Sequence, residues 1–237
     1  YRPNMNDRDT LEVQLNVLGD FEPLLPESFR RCPFLFLANG STGMQLKVLD
    51  QCVGATLTVA DTMDLWINTE REQLMELLRR VDGLVLNDSE AKLLTEDENL
   101  ARAGRAVQAM GPKFVVIKKG EHGAMFFSKH ETYVLPAFPT QDVVDPTGAG
   151  DSFAGGMMGY LARQGSFDPK SLKEAMAYDQ ENSSSAASSA SDASSSSTAS
   201  RSNSEASVMM RIMQLVHAYG KPEESQSALS SLLSTQA

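Results

Sequence analysis

The chain has 237 residues, 41% of them apolar and 7% aromatic, enough for one large domain or two small ones. Its formal net charge of −10 argues against a nucleic-acid or anionic-membrane binder, both of which need basic surface, while leaving room for a local cationic pocket. Cys32 and Cys52 are too few for a disulfide framework and lack metal-ligand spacing, no apolar run approaches the roughly 18 residues of a membrane span, and no signal peptide is visible, so a reducing cytoplasm is the expected setting. The first residue is Tyr1 rather than Met, and a fragment or a processed product is expected. Residues 1–31 are polar and carry Pro3, Pro23 and Pro26, with Leu11, Val13 and Leu15 alternating as in a strand over 11–18.

From Pro33 a rhythm of short apolar strands and amphipathic helices sets in. The run 33–38 ends at the turn signal Asn39-Gly40. Residues 43–52 read as a helix with Met44, Leu46, Val48 and Leu49 facing inward. A second strand over 55–60 ends in Asp61. A charged helix over 69–80 places Leu74, Leu77, Leu78 and Val81 on one face. A third strand over 83–86 ends in Asn87, one or two helices follow over 89–110, and a fourth strand over 114–117 ends in Lys118. Residues 124–127 and 132–135 read as an antiparallel pair. A polar turn then runs into a helix over 151–163. Strands alternating with helices predict an α/β fold around a mostly parallel sheet, in which ligands gather at the carboxyl ends of the strands. Asn39, Asp61, Asn87 and Lys118 all stand at such ends, which favours one shared cleft.

Three regions are expected: a core over 1–178, a linker over 179–207 and a helical segment over 208–237. More than half of residues 183–207 are serine, and such a stretch cannot bury enough apolar surface to offset the entropy of ordering it. Val208 to Tyr219 reads as an amphipathic helix, stopped at Gly220-Lys221-Pro222, and a second helix is expected over 226–234.

The strongest chemical signal is the stretch from Asp145 to Gly156, Asp-Pro-Thr-Gly-Ala-Gly-Asp-Ser-Phe-Ala-Gly-Gly. Gly148 and Gly150 let the turn bend freely, and the helix that follows points unpaired N–H groups and its positive dipole end into that turn. The result is an anion site. Asp151 beside it is an odd structural choice, because like charges repel. It makes sense as a base acting while the N–H groups hold a phosphoryl group. Gly155, Gly156 and Gly159 each cost a helix about 1 kcal/mol relative to Ala, which close approach of a sheet or ligand would explain. An ordinary strand-to-helix turn with a capping Asp is the plainer alternative.

Asn87-Asp88-Ser89-Glu90 follows a strand, where Ser or Asp serves as a helix cap, or where Asn87 and Glu90 hold Mg²⁺ through water. Lys118-Lys119-Gly120-Glu121-His122-Gly123 is either a hairpin turn with solvated lysines or a place where Gly120 and Gly123 let a nucleotide lie on the backbone, with Lys118 near its phosphates. No Gly-Lys-Ser/Thr loop of the Walker type occurs. His122, His130 and His217 share no metal-ligand spacing, and Met63 and Trp66 are expected in the core or the cleft wall.

The stretch 145–156 resembles the second signature of the ribokinase-like (PfkB) carbohydrate and nucleoside kinases. Asn87 with Glu90 is similar to that family's Asn-x-x-Glu element, and Gly120 with Gly123 to its nucleotide-binding glycine turn, in the same order and spacing. The resemblance covers residues 33–178 and extends to residues 1–32. It implies a three-layer α/β/α sandwich with a mostly parallel sheet, and transfer of the γ-phosphoryl group of ATP to a hydroxyl of a sugar or nucleoside with Mg²⁺. It implies Asp151 as the base, the N–H groups of Gly148, Ala149 and Gly150 as the anion hole, and Asp145 as a holder of a monovalent cation, K⁺. A small-molecule substrate is implied, with no nucleic acid or membrane partner, and a homodimer is left open.

The family's amino-terminal portion, with its first glycine-rich signature, its lid and most of its substrate contacts, has no counterpart in the chain. After Tyr178 the serine-rich run stands where the family continues with a helix that walls the nucleotide base. A nucleotide-binding or interaction module that has lost catalysis is the alternative, and a serine-rich regulatory tail modified by phosphorylation is a third reading.

Overall fold

The computed structural model describes residues 19, 21–137 and 147–188. The strand expected over 11–18, the helices expected beyond 207 and Asp145 lie outside those residues. The described residues belong to one compact unit.

Four strands form the parallel part of a six-stranded sheet: β1 (Phe34–Leu37), β2 (Leu57–Asp61), β3 (Gly83–Asn87) and β4 (Phe114–Lys118). The chain then turns back into β5 (Ala124–Ser128) and β6 (Thr132–Leu135), which pair antiparallel along the β4 edge. Spatial order equals chain order, so each crossover moves one strand further along the sheet. Such parallel strands are covered on both faces and read as continuous apolar runs. Leu57, Val59, Leu84, Val85, Val115 and Val116 are accordingly sealed from solvent.

The two faces separate by strand parity. Leu35, Leu37, Ala60, Leu84, Leu86, Val115 and Ile117 join one core cluster with the helices between the strands, α1 (Thr42–Gln51), α3 (Arg71–Leu78), α4 (Asp88–Thr95) and α5 (Leu100–Ala109). The alternate residues, Val59, Val85, Val116 and Phe126 among them, point to the other face. There lie α6 (Ala149–Gln164) and α7 (Pro169–Ser188). Tyr133, stacked on Phe126, donates its hydroxyl to Met176 Sδ of α7 at 3.2 Å, and Lys173 of α7 sits over its ring. Helices on both faces make the expected three-layer α/β/α sandwich.

Three local features depart from the periodicity. The helix expected over 69–80 is α3, and an unexpected helix, α2 (Asp64–Thr69), precedes it, separated from it at Glu70. Glu70 leaves helical geometry because its carboxylate accepts from Gly43 N at 3.0 Å and from Ser41 Oγ at 2.9 Å, thereby capping the start of α1. The fully buried positions of α1 are Thr42, Gln45 and Leu46, while Met44, Val48 and Leu49 are only half-buried. Gln45 belongs inside because its amide reaches the carbonyls of Leu37, Ala38 and Asp61 at 3.1, 2.9 and 2.9 Å, which would otherwise end β1 and β2 with unpaired acceptors. Finally, the helical backbone of α7 passes residue 178 and continues to Ser188.

Candidate active site

Parity decides which strand-end side chains share a face. Asp61 has the phase of Leu57 and Val59, Asn87 that of Val85, and Lys118 that of Phe114 and Val116. All three therefore point to the α6 side of the sheet. The register places Asn87 directly opposite Lys118, and β2 pairs with β3 through Asp61 and Val85. The carboxyl ends of β2, β3 and β4 thus present a carboxylate, an amide and an ammonium group in a row.

The ammonium group is held by the carboxylate. Lys118 Nζ donates to Asp61 Oδ2 at 3.2 Å, and Asp61 Oδ1 accepts from the N–H of Thr62 at 2.8 Å. Asp61 is only 3% exposed. Removing an unpaired carboxylate from water costs several kcal/mol, so Lys118 is what makes the position tolerable. Burial still pushes the Asp61 carboxyl above its ordinary range. Lys118 and the Thr62 N–H pull it back, and the negative charge of Asp151 pushes it up again. Asp151 is therefore electrostatically coupled to the strand-end pair.

The first turn of α6 completes the cluster. Gly148 caps this helix with φ 81°, a left-handed conformation that glycine adopts without strain, and as a glycine it has no side chain to cap the helix. The first bond within the helix runs from Ser152 N to Gly148 O at 2.8 Å. The N–H groups of Gly148, Ala149, Gly150 and Asp151 are thus the donors that an α-helix leaves without intrahelical partners. A Cβ placed on Gly150 would stand 3.0 Å from Lys118 Nζ. A helix start and a lysine ammonium group so close together form a concentrated positive locus, with the exposed Asp151 carboxylate at its rim.

The other expected site residues fall out differently. Asn87 and Glu90 form a complete capping box at the start of α4: Asn87 Oδ1 accepts from Glu90 N at 2.8 Å, and Glu90 Oε2 accepts from Asn87 N at 2.6 Å. The cap is Asn87, not Asp88 or Ser89 as the sequence alone suggested. Gly120 opens a single 3₁₀ turn, Gly120–His122, with φ 54°. Gly123 has a packing reason of its own, since a Cβ there would lie 1.9 Å from Leu135 O. Gly155 and Gly159 are exposed, and among the described residues nothing lies within 4 Å of where their Cβ atoms would be, so the close backbone approach expected from these glycines is not found. Trp66 is buried and donates its indole N–H to Asn39 Oδ1 at 3.0 Å, and Asn39 Nδ2 lies 3.1 Å from Met63 Sδ, so these residues build the wall beside β1.

The pairing of Asp61 with Lys118 is the feature that motif reading missed. The signal was available in the strand phase of both residues. Among the described residues no cluster of three or more His, Cys, Asp or Glu forms a metal cage.

The family model described as "pfkB family carbohydrate kinase" matches residues 43–199, more than half of the chain. The chain belongs to the pfkB family. This pfkB chain is 33% identical over 143 residues to a cytidine kinase of Thermococcus kodakarensis, covering 59% of its own length and 51% of that relative. It is 24% identical over 161 residues to a nucleoside kinase of Methanocaldococcus jannaschii, covering 64% and 50%. It is 29% identical over 121 residues to fructokinase-2 of Zea mays, covering 49% and 36%. The pfkB chain thus spans about half the length of these relatives or less. Its fold is that of the aminoimidazole riboside kinase of Salmonella enterica, with TM-score 0.57 at 20% identity, covering 67% of this chain and 59% of that one. The crystal structure of the Methanocaldococcus jannaschii nucleoside kinase gives TM-score 0.58 at 18% identity, covering 74% and 55%.

Proposed function

We propose that this chain carries the phosphoryl-transfer half of an ATP-dependent kinase acting on a hydroxyl of a sugar or nucleoside. The observation that carries the reading is the convergence of Lys118, the glycine-capped start of α6 and Asp151 at the carboxyl end of the sheet. Phosphoryl transfer asks a protein mainly for positioning and for donors aimed at developing negative charge. The N–H groups of Gly148, Ala149 and Gly150 and the ammonium group of Lys118 supply those donors. Gly120 and Gly123 lie on the turn after β4, beside Lys118, where a nucleotide would lie along the backbone.

Asp151 takes the proton from the acceptor hydroxyl as its oxygen forms a bond to the γ-phosphorus. The bond from that phosphorus to the bridging oxygen breaks, and ADP departs with the bonding electron pair. Asp61 holds Lys118 at the mouth of the anion site. Glu90, with Asn87, would hold Mg²⁺ through water at the end of β3. Bound Mg²⁺ neutralises phosphate charge during transfer.

Names of relatives include both nucleoside kinases and a fructokinase. Both substrate classes accordingly belong to the proposal.

The test is phosphoryl transfer from ATP to a panel of sugars and nucleosides, by a protein that includes the substrate-side portion, with and without Asp151→Asn. General-base contributions are about 10²–10⁴-fold, and a fall of that order is expected. Near-normal turnover in the variant would overturn the assignment of Asp151. Binding of a non-hydrolysable ATP analogue with no transfer to any acceptor would make the chain a nucleotide-binding module instead.

A further inference from the structure

Cys32 and Cys52 come from different elements but share one place. Cys32 precedes β1 by two residues, and Cys52 ends α1, donating its N–H to Leu49 O at 3.1 Å. Backbone hydrogen bonds hold the two segments together on either side of Cys32 and just after Cys52. Val53 N donates to Arg30 O at 2.9 Å, and Thr56 N to Pro33 O at 2.8 Å. Between them, a Cβ on Gly54 would stand 3.1 Å from Arg31 Cα.

The segment before β1 is also strapped along α1. Gln51 accepts from Leu25 N at 2.9 Å and donates to Pro23 O at 2.8 Å, and Lys47 meets Glu22 at 2.7 Å. Both cysteines are half-buried and free, and they pack against the core cluster that includes Leu35 and Leu46. Burial, together with the nearby Cys32, pushes the Cys52 thiol up.

We propose that Cys32 and Cys52 are an oxidative modification site, closing a reversible disulfide that fastens the strap before β1 to the end of α1. The sulfur-bearing segments are already held side by side by backbone bonds, so the two cysteines share one place before any link forms. With a peroxide as oxidant, the Cys32 thiolate attacks one peroxide oxygen, the O–O bond breaks, and hydroxide leaves. This gives a sulfenic acid at Cys32. The Cys52 sulfur then attacks the Cys32 sulfur, forming the S–S bond and expelling the sulfenic oxygen as water. In sum, two thiols and one peroxide give one disulfide and two waters. The roles of the two cysteines can be exchanged without changing the product. The link sits at the amino end of the sheet, whereas Asp61, Lys118 and Asp151 sit at the carboxyl end. It therefore tightens the strap without entering the anion site.

The chain is treated with hydrogen peroxide, quenched with N-ethylmaleimide and analysed by intact mass and tryptic mapping. The expected result is the loss of two hydrogens, with peptide 32–47 joined to peptide 48–71. The link should be reversed by dithiothreitol and be independent of protein concentration. The oxidised chain should melt several degrees higher, while its affinity for an ATP analogue stays within twofold. Cys32→Ser should form no link and gain no thermal shift with peroxide. Separate alkylation of both cysteines after treatment, sulfinic acid alone, links only between chains, or a link without a rise in melting temperature would each overturn the proposal.

Discussion

Of the helices that begin at the carboxyl end of this sheet, α4 and α6 begin in opposite ways. At α4 the chain satisfies its own orphan donors: Asn87 and Glu90 exchange hydrogen bonds in a closed box. At α6 the cap is a bare glycine, which has no side chain of its own to turn back to the first N–H groups. A closed start spends its polar groups on folding. An open start, with a lysine ammonium group against its first turn, keeps them for an anion. The same helix geometry thus yields a structural joint in one place and a candidate phosphate cradle in the other, and the difference lies in one or two side chains.

The contrast can be broken from either side. The largest effect is expected at the open end. Lys118→Met keeps the stem of the side chain and removes the charge, and affinity for a non-hydrolysable ATP analogue with Mg²⁺ should fall about 10- to 100-fold. That follows from the roughly 1.5–3 kcal/mol that a hydrogen bond to a charged group contributes. Isothermal titration calorimetry measures it, and unchanged affinity would remove Lys118 from the cradle. At the closed end, Asn87→Ala should destabilise the fold by about 1 kcal/mol, the usual worth of such a cap, in a denaturant titration. If the same change also weakened Mg²⁺-dependent nucleotide binding, the box would belong to the site as well as to the fold.

The smallest effect concerns the carboxylate behind Lys118. Asp61 has a folded-state pKa above its ordinary value of 3.8, so the folded chain binds that proton more readily than the unfolded one. Its stabilising share is complete below that ordinary value and is lost as pH rises toward the raised one. The melting temperature of the wild type should therefore fall relative to that of Asp61→Asn across that window. A difference between the two proteins that is flat with pH would show that Asp61 titrates alike in both states.

The strands and most helices could be read from the chain because their causes are local. Apolar runs such as 114–117 and the spacing of Leu74, Leu77 and Leu78 are set within a few residues. The anion turn was legible for the same reason, as a glycine-bearing loop meeting a helix. What escaped was set by distant partners. The break at Glu70 exists because its carboxylate reaches Gly43, and the inward turn of Gln45 because three carbonyls wait for it. The Asp61–Lys118 pair joins residues far apart in the chain, and only the shared phase of their strands announces it. Gly155 and Gly159 misled in the other direction, since their helical cost suggested a close neighbour where the described residues supply none.

Glu70 has a consequence for how the molecule assembles. The helix whose start it caps, α1, lies well before it in the chain, and the cap residue of α1 itself, Ser41, makes no capping bond with its own side chain. The first turn of α1 is complete only once α2 and α3 have docked beside it. The three helices are thus thermodynamically tied into one opening unit, and the amide of Gly43 should exchange its hydrogen with solvent at the pace at which the α2–α3 junction comes away.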